Sequence, residues 1–224
     1  MVGSLRYICH TRPEISFSVG VVSRFMSDPR QSHLLAIKKI MRYLRGTLDL
    51  GILFPHQKSN CNLKLVSYSD SDWCGDIMDR KSTMGNIFLL GDAPVSWCSK
   101  KQPVVALSTC EAEYISACFA ACQAVWLSSL LEELKAGFGS KIEFLVDNKS
   151  AIDLAKNLVS HGRSKHIETK FHYLRQQVDS GKIKIEYCPT DSQLADILTK
   201  GLKIEKFKEM RRLIGVTSLT ELKT

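Results

Sequence analysis

The feature that most constrains the fold is a change of hydrophobic period along the chain. Between residues 63 and 98, apolar and polar side chains alternate, which predicts three strands in an antiparallel meander, the first ending at Asp70. From Ser108 to Leu198 the pattern predicts helix, strand, helix, strand and helix in turn. A meander followed by alternating helices and strands indicates an α/β fold with a mixed sheet.

The chain divides into three predicted regions. Residues 1–54 include two predicted helices, 15–27 and 31–46, and we expect this mainly helical segment to pack separately or loosely. A polar, turn-like stretch separates it from a predicted domain over residues 61–200. Residues 201–224 are predicted to form a basic C-terminal helix or tail.

The net charge of +8 is unevenly distributed. Residues 1–60 carry a surplus of six positive charges and residues 200–224 a surplus of four, whereas the residues between them carry two excess negative charges. An acidic centre between basic arms is typical of a metal site beside a polyanion, although ordinary solvated helix faces give the same pattern. In the first case the basic arms would bind nucleic acid in a salt-dependent manner.

The composition predicts an intracellular protein without a membrane span. No apolar run approaches 18 residues, and the N-terminus lacks the charged and apolar segments of a signal peptide. None of the eight cysteines forms a Cys-x-x-Cys pair, which favours reduced, mostly buried thiols. We expect Trp73, Trp97 and Trp126 to belong to the core.

Four acidic residues occupy positions that suit a metal site. Asp70 and Asp147 end predicted strands, Glu113 lies in the first turns of the long helix, and Asp196 lies on the last predicted helix. Strands one and four would be neighbours, and clustered carboxylates that need a cation are good ligands for Mg²⁺. On position alone, these residues could equally be capping acids that bind backbone amides.

Six short stretches, in this order, are specific to one protein family: Tyr68–Trp73, Asp79–Gly85, Ser99–Tyr114, Val146–Ile152, Ser164–Glu168 and Gln193–Lys200. Through them almost the whole chain resembles the C-terminal end of the Pol polyprotein of copia-type LTR retrotransposons. Residues 3–7, 11–15 and 41–47 resemble the end of the reverse transcriptase of that polyprotein, but the polymerase palm and its aspartate pair are missing. We therefore expect no DNA polymerase activity.

The resemblance implies a ribonuclease H-like fold, with a five-stranded mixed sheet flanked by helices and preceded by the helical segment. It implies an endonuclease that cleaves the RNA strand of RNA–DNA hybrids with two Mg²⁺ ions, or Mn²⁺ in their place. Asp70, Glu113, Asp147 and Asp196 would be its catalytic residues and metal ligands. Its partners would be the hybrid and the reverse transcriptase portion of the same polyprotein, in the cytoplasm (in a virus-like particle) or the nucleus.

Two of these assignments have a close rival. Asp72 lies in the same phase of the strand as Asp70, so the preference for Asp70 rests on the resemblance. Glu113 is preferred to Glu111 because it precedes Tyr-Ile-Ser-Ala as the family's glutamate precedes its apolar run.

Candidate substrate contacts lie around these acids. Basic and hydroxyl groups after the first strand, the start of the long helix, and a basic helix near residue 170 could all bind backbone phosphates. The candidates are Arg80, Lys81, Ser82, Ser108, Thr109, Asn148, Lys165, His166, His172 and Arg175. Many cellular ribonucleases H carry a histidine in the loop before the last carboxylate. The loop here has none, and His166 or His172 could substitute.

Three other functions compete with this interpretation. An inactive relic of a retrotransposon would keep the fold and at most bind nucleic acid. An integrase-like nuclease would need an acid about 35 residues after Asp147, near Lys182, where the chain has none. A secreted effector is suggested only by the Arg-x-Leu-Arg string at Arg42–Arg45, which we attribute to chance because it lies within a predicted helix and follows no signal peptide.

Overall fold

The computed structural model describes residues 1–55, 63–136, 141–156 and 165–218, with only the backbone over 165–171. The helices in these ranges are α1 (Val2–Ile8), α2 (Ser16–Ser23), α3 (Gln31–Arg45), α4 (Thr109–Glu133), α5 (Lys149–Lys156), α6 (Lys165–Asp179) and α7 (Ile204–Leu213). The strands are β1 (Leu50–Ile52), β2 (Leu65–Asp72), β3 (Thr83–Leu90), β4 (Ala93–Lys101), β5 (Ile142–Val146), β6 (Ile183–Tyr187) and β7 (Val216–Ser218).

The central sheet has five strands in the order β4-β3-β2-β5-β6. The β2–β3 and β3–β4 pairs are antiparallel, and β2–β5 and β5–β6 are parallel. The predicted five-stranded mixed sheet, with the first strand of the meander at its centre, is confirmed. The first strand continues to Asp72, two residues beyond the predicted end, because it pairs with β3 as far as Thr83.

Both faces of the sheet are covered. On one face, α4 presents a row of small buried residues, Ala117, Ala120, Ala121 and Ala124, which lets the helix lie close to Phe88 and Phe144. α4 has 25 residues and contains an 18-residue stretch with a mean hydropathy of 1.5, so it has the length and composition of a membrane span. In this fold it is the central core helix, packed on β2, α5 and α6.

The opposite face is covered by the end of the chain. Leu194, Ile197 and Leu198 pack with Met210 of α7, and with Ile214 directly after it, against Ile87 of the sheet. The helix predicted up to Leu198 consists instead of two short 3₁₀ turns, Thr190–Ser192 and Leu194–Leu198.

The N-terminal segment is joined to the rest of the molecule, contrary to the expected separate or loose packing. β1 pairs antiparallel with β7, so residues 1–54 share a small sheet with the C-terminal region. Trp97 of β4 donates its ring N–H to the Cys9 carbonyl at 2.8 Å, and α2 packs on β4. The end of the chain is thus an integral helix and strand as far as Ser218, and residues 219–224 lie outside the described ranges.

Two tryptophans are not core residues. The exposed fractions of Trp73 and Trp126 are 45% and 57%, whereas Trp97 is half-buried at the contact with the N-terminal segment. The expectation that all three lie in the core is therefore wrong for two of them. Trp73 follows the last residue of β2 and Trp126 lies on the solvent side of α4, so neither faces the sheet.

Candidate metal centre

Three carboxylates meet where the parallel strands end. Asp70 lies near the end of β2, Glu113 in the second turn of α4, and Asp147 directly after β5. The three side chains can each offer an oxygen, with all three oxygens within 4.8 Å of one another. This separation suits a divalent cation with hard oxygen ligands.

Glu113 is buried, and its two carboxylate oxygens differ in their contacts. Its Oε1 accepts a hydrogen bond from the Ser71 backbone N–H at 2.9 Å, whereas its buried Oε2 has no partner among the described residues. Burial raises the pKa of Glu113 well above its ordinary value, and the neighbouring Asp70 and Asp147 raise it further. A buried carboxylate oxygen without a donor, on a residue grouped with two other acids, is an arrangement that a cation would satisfy.

The backbone and side chain of Asp70 are held from two directions. The Ser116 hydroxyl of α4 donates to the Asp70 carbonyl at 2.8 Å, and the Thr199 hydroxyl donates to Asp70 Oδ2. Thr199 reaches Asp70 because Gly85, the β3 partner of Asp70, has no side chain. A Cβ at Gly85 would lie 2.6 Å from Thr199 Cγ2 and 2.8 Å from Leu198 Cβ.

Asp196 is adjacent to the three-carboxylate group and is linked to it through a lysine. Lys200 Nζ lies 2.9 Å from Asp196 Oδ1 and 3.7 Å from Asp70 Oδ2. Burial raises the pKa of Asp196 to about 7, with a further contribution from Asp70, although Lys200 opposes the shift. The structure thus places Asp196 beside the triad, which itself consists of Asp70, Glu113 and Asp147.

Asp147 is the most accessible acid of the triad. It is only half-buried, and Asp147 Oδ2 accepts a hydrogen bond from the Thr190 hydroxyl at 3.2 Å. Burial, and then the charge of Asp70, raise its pKa above the ordinary value. It therefore forms the solvent-facing side of the group, where a substrate could approach.

The two rival acids lie outside the triad. Asp72 folds back over Gly75, where a Cβ would overlap its carboxylate, and its pKa is raised by burial and by Asp70. Glu111 closes the start of α4, because its Oε2 accepts the Leu107 N–H at 2.7 Å while Ser108 Oγ accepts the Glu111 N–H. The geometry thus favours Asp70 and Glu113 for the triad positions.

Four of the candidate substrate contacts are engaged within the fold. Ser82 is fully buried and accepts a hydrogen bond from the Cys74 N–H, so it is not available to a ligand. Ser108 caps α4, and Asn148 Oδ1 accepts the Ala151 N–H at the start of α5. Arg175 Nε donates to the Leu154 carbonyl at 2.9 Å and joins α6 to α5.

The remaining candidates are more exposed. Arg80 is exposed and Lys81 half-exposed on the loop after β2, and Arg80 adopts a φ of 57° there. Thr109 and His172 are also exposed. The side chains of Lys165 and His166 lie outside the described residues.

Three residues of the site were missed by the sequence analysis. Thr199 and Lys200 contact the carboxylates, and buried Gln193 donates its side-chain amide to the Ser69 carbonyl beside Asp70 at 3.0 Å. A signal was available, because all three lie in the stretch Gln193–Lys200 that carries the resemblance, and Lys200 is four residues after Asp196.

No family model matches the chain. It is 44% identical over 217 residues to the retrovirus-related Pol polyprotein from transposon RE1 of Arabidopsis thaliana. The aligned region covers 97% of this chain and 15% of that protein. It is 43% identical over 221 residues to the corresponding polyprotein from transposon TNT 1-94 of Nicotiana tabacum, covering 97% of this chain and 16% of that protein. The chain thus spans about 15% of the length of these relatives.

Two further similarities concern shorter proteins. The chain is 45% identical over 128 residues to the secreted RxLR effector protein 161 of Plasmopara viticola, which covers 57% of this chain and 88% of that protein. Among solved structures, LC11-RNase H1, isolated from compost, is 15% identical, with a TM-score of 0.47, covering 66% of this chain and 98% of that one.

Proposed function

Because the chain belongs to the retrovirus-related Pol polyproteins of transposons, we propose that it is the ribonuclease H part of such a polyprotein and cleaves the RNA strand of RNA–DNA hybrids with Mg²⁺. The observation that carries the proposal is the convergence of Asp70, Glu113 and Asp147 at the centre of a five-stranded mixed sheet. We also propose that the chain acts as part of such a polyprotein, together with its reverse transcriptase portion.

The residues present fit a divalent cation. Their donors are carboxylate oxygens, the type preferred by Mg²⁺ and Mn²⁺, and the buried Glu113 Oε2 has no hydrogen-bond partner among the described residues. Asp70, Glu113 and Asp147 would hold the first ion, and Asp196 beside them would share the second. Bound there, two ions would activate a water molecule and stabilise the oxygen that leaves the cleaved phosphodiester.

The protein's own residues fix the geometry of the acids. Ser71 holds one oxygen of Glu113, and Thr199 orients Asp70. Ser116 and Gln193 bind the carbonyls of Asp70 and Ser69, so the backbone of β2 is held from both faces of the sheet. Such positioning matters because small displacements of metal ligands lower activity strongly.

Polar groups at the protein surface would supply contacts for a polyanion. Arg80 and Lys81 lie on the loop after β2, and His172 is exposed on α6. Exposed Trp73 donates its ring N–H to the Ala106 carbonyl, so its ring is fixed close to the end of β2. An enzyme for hybrids reads the wide minor groove and its 2′-hydroxyls, for which fixed aromatic and polar groups are suited.

The experiment that tests the proposal is cleavage of a labelled RNA–DNA hybrid by the purified chain with Mg²⁺. We expect cleavage of the RNA strand, none of double-stranded DNA, and loss of cleavage on chelation of the metal. Asp147→Asn is the matched control, because it keeps the shape of the side chain and removes one ligand charge. Hybrid binding without cleavage under all metal conditions would instead identify an inactive, retrotransposon-derived fragment.

A further inference from the structure

A single lysine lies at the opening of the carboxylate cluster, here defined as Asp70, Glu113, Asp147 and Asp196. Lys200 follows the 3₁₀ turn that carries Asp196, and its side chain is 36% exposed. Its ammonium lies 2.9 Å from Asp196 Oδ1 and 3.7 Å from Asp70 Oδ2. It therefore bridges the triad and the fourth acid from the solvent side.

Lys200 has no counterpart in the part of the chain that the structure describes. No other basic side chain there places a nitrogen within 4.0 Å of a carboxylate of the cluster. Four acids in a small, largely buried space repel one another, and one ammonium offsets only part of that repulsion. The ammonium thus occupies the position at which an additional cation would be most stabilising.

Lys200 forms no ion pair with Glu113, the third acid of the triad. Glu113 Oε2 is buried and has no partner among the described residues, although Lys200 lies against Asp70 and Asp196. The ammonium forms ion pairs with Asp70 and Asp196 and none with Glu113, whereas ions bound by all four acids would neutralise the whole cluster. Lys200 and a divalent ion would also compete for the same oxygens of Asp70 and Asp196.

We propose that Lys200 is a built-in counter-ion of the carboxylate cluster, which stabilises the metal-free protein and must move away when a divalent cation binds. Lys200 then sets the Mg²⁺ concentration at which the site fills, because each bound ion displaces an existing ion pair. This inference rests on the proposed function only in that the cluster binds divalent cations.

The first test compares wild type, Lys200→Met and Lys203→Met in the absence of nucleic acid. Calorimetry measures the binding of Mg²⁺ during a titration, and thermal unfolding measures the stability of the metal-free protein. Lys203 is an exposed lysine three residues away and makes no side-chain cap on α7, so it is the matched control. We expect Lys200→Met to unfold at a lower temperature without metal and to reach half-saturation at a Mg²⁺ concentration about threefold to tenfold lower. Lys203→Met should resemble wild type in both measurements.

An unchanged or higher half-saturating concentration in Lys200→Met would overturn the inference. Absence of Mg²⁺ binding to wild type would instead overturn the proposed function, so the two failures are distinguishable. Should Lys200→Met not fold, acetylation of wild type by an amine-reactive ester, followed by mass spectrometry, decides the question. Mg²⁺ should increase the acetylation rate of Lys200 and leave that of Lys203 unchanged, and equal rates for Lys200 with and without Mg²⁺ would contradict the displacement.

Discussion

At the scale of single residues, the candidate metal centre is defined by carboxylates that lie close together in a largely buried space. Asp70 and Asp147 could be found from the sequence, because the ends of adjacent parallel strands lie together. The contacts that hold them could not, since Thr199 is 129 positions away from Asp70 and its role depends on how the chain returns to β2. A residue that caps a helix and one that binds a phosphate also look alike in sequence. Ser108 and Asn148 were predicted as substrate contacts, but both cap helices.

The raised pKa values of Glu113, Asp147 and Asp196 predict how the stability of the metal-free protein depends on pH. Burial raises the pKa of Asp196 to about 7, so the folded state binds more protons than the unfolded state between about pH 4 and 7. The stabilisation is therefore present at low pH and is lost as the pH rises through about 7. We expect the unfolding temperature in a chelator to fall between pH 5 and 8.

Asp196→Asn is the control for this measurement. The variant should show a flatter pH profile and equal or higher stability at pH 8, because it lacks one of the crowded charges. A wild-type unfolding temperature that rises between pH 5 and 8, with the same slope in Asp196→Asn, would show that the cluster does not destabilise the metal-free fold.

At the scale of secondary-structure elements, long periodic segments were predicted and short ones were missed. The meander and the β5–β6 region follow their hydrophobic period, because their strands pack on a large core, and α4 begins after Ser108, a predicted cap. β1 and β7 have three residues each, too few to establish a period, and their pairing depends on distant partners. The turn at Leu194–Leu198 contains a helix-like pattern but forms a 3₁₀ helix over β3.

Gly85→Ala tests the close approach of that turn to β3. The added methyl would meet Thr199 and Leu198 at less than 3 Å, so the turn that carries Asp196 must shift. We expect a loss of about 1–3 kcal/mol in the free energy of unfolding and weaker Mg²⁺ binding, because Thr199 and Lys200 move with the turn. Denaturant unfolding and metal titration measure the two effects.

Gly51→Ala is the matched control, because its Cβ would meet nothing within 4 Å in β1. It should leave metal binding unchanged. Equal metal affinities for Gly85→Ala and wild type would mean that the turn does not position the ligands of the site.

At the scale of the whole molecule, the two ends of the chain form one unit that supports the central sheet. The sequence suggested a detachable N-terminal segment, because its helices have their own apolar faces and polar residues follow them. The structure shows β1 paired with β7 and α2 packed on β4. Contacts between segments about 165 residues apart cannot be inferred from local period, which explains why this part of the prediction was wrong.

Arg24, directly after α2, couples this unit to the loop beside the candidate metal centre. Its guanidinium donates to Asp76 at 3.2 Å and to Thr83 Oγ1 at 2.9 Å, and Asp76 also pairs with Lys101. We expect Arg24→Ala to lower the free energy of unfolding by about 1–2 kcal/mol, because it removes the hydrogen bond to the buried Thr83 hydroxyl and one of the two cations that pair with Asp76. Protease cleavage after Arg80 should become faster as the loop loosens.

Arg42→Ala, on the exposed side of α3, is the control and should change the free energy of unfolding by less than about 0.5 kcal/mol. Identical stabilities of the Arg24 and Arg42 variants would indicate that the N-terminal unit does not brace the loop.

The central claim is that Asp70, with Glu113 and Asp147, binds the metal that cleaves the RNA strand, and the most direct test is hybrid cleavage by Asp70→Asn and Asp72→Asn side by side. Both acids lie on β2 in the same phase, but only Asp70 shares the triad. With Mg²⁺ we predict that Asp70→Asn lowers the cleavage rate by orders of magnitude, and that Asp72→Asn has a much milder effect. Loss of cleavage in Asp72→Asn with full activity in Asp70→Asn would contradict the account and place the metal site one pleat further along β2.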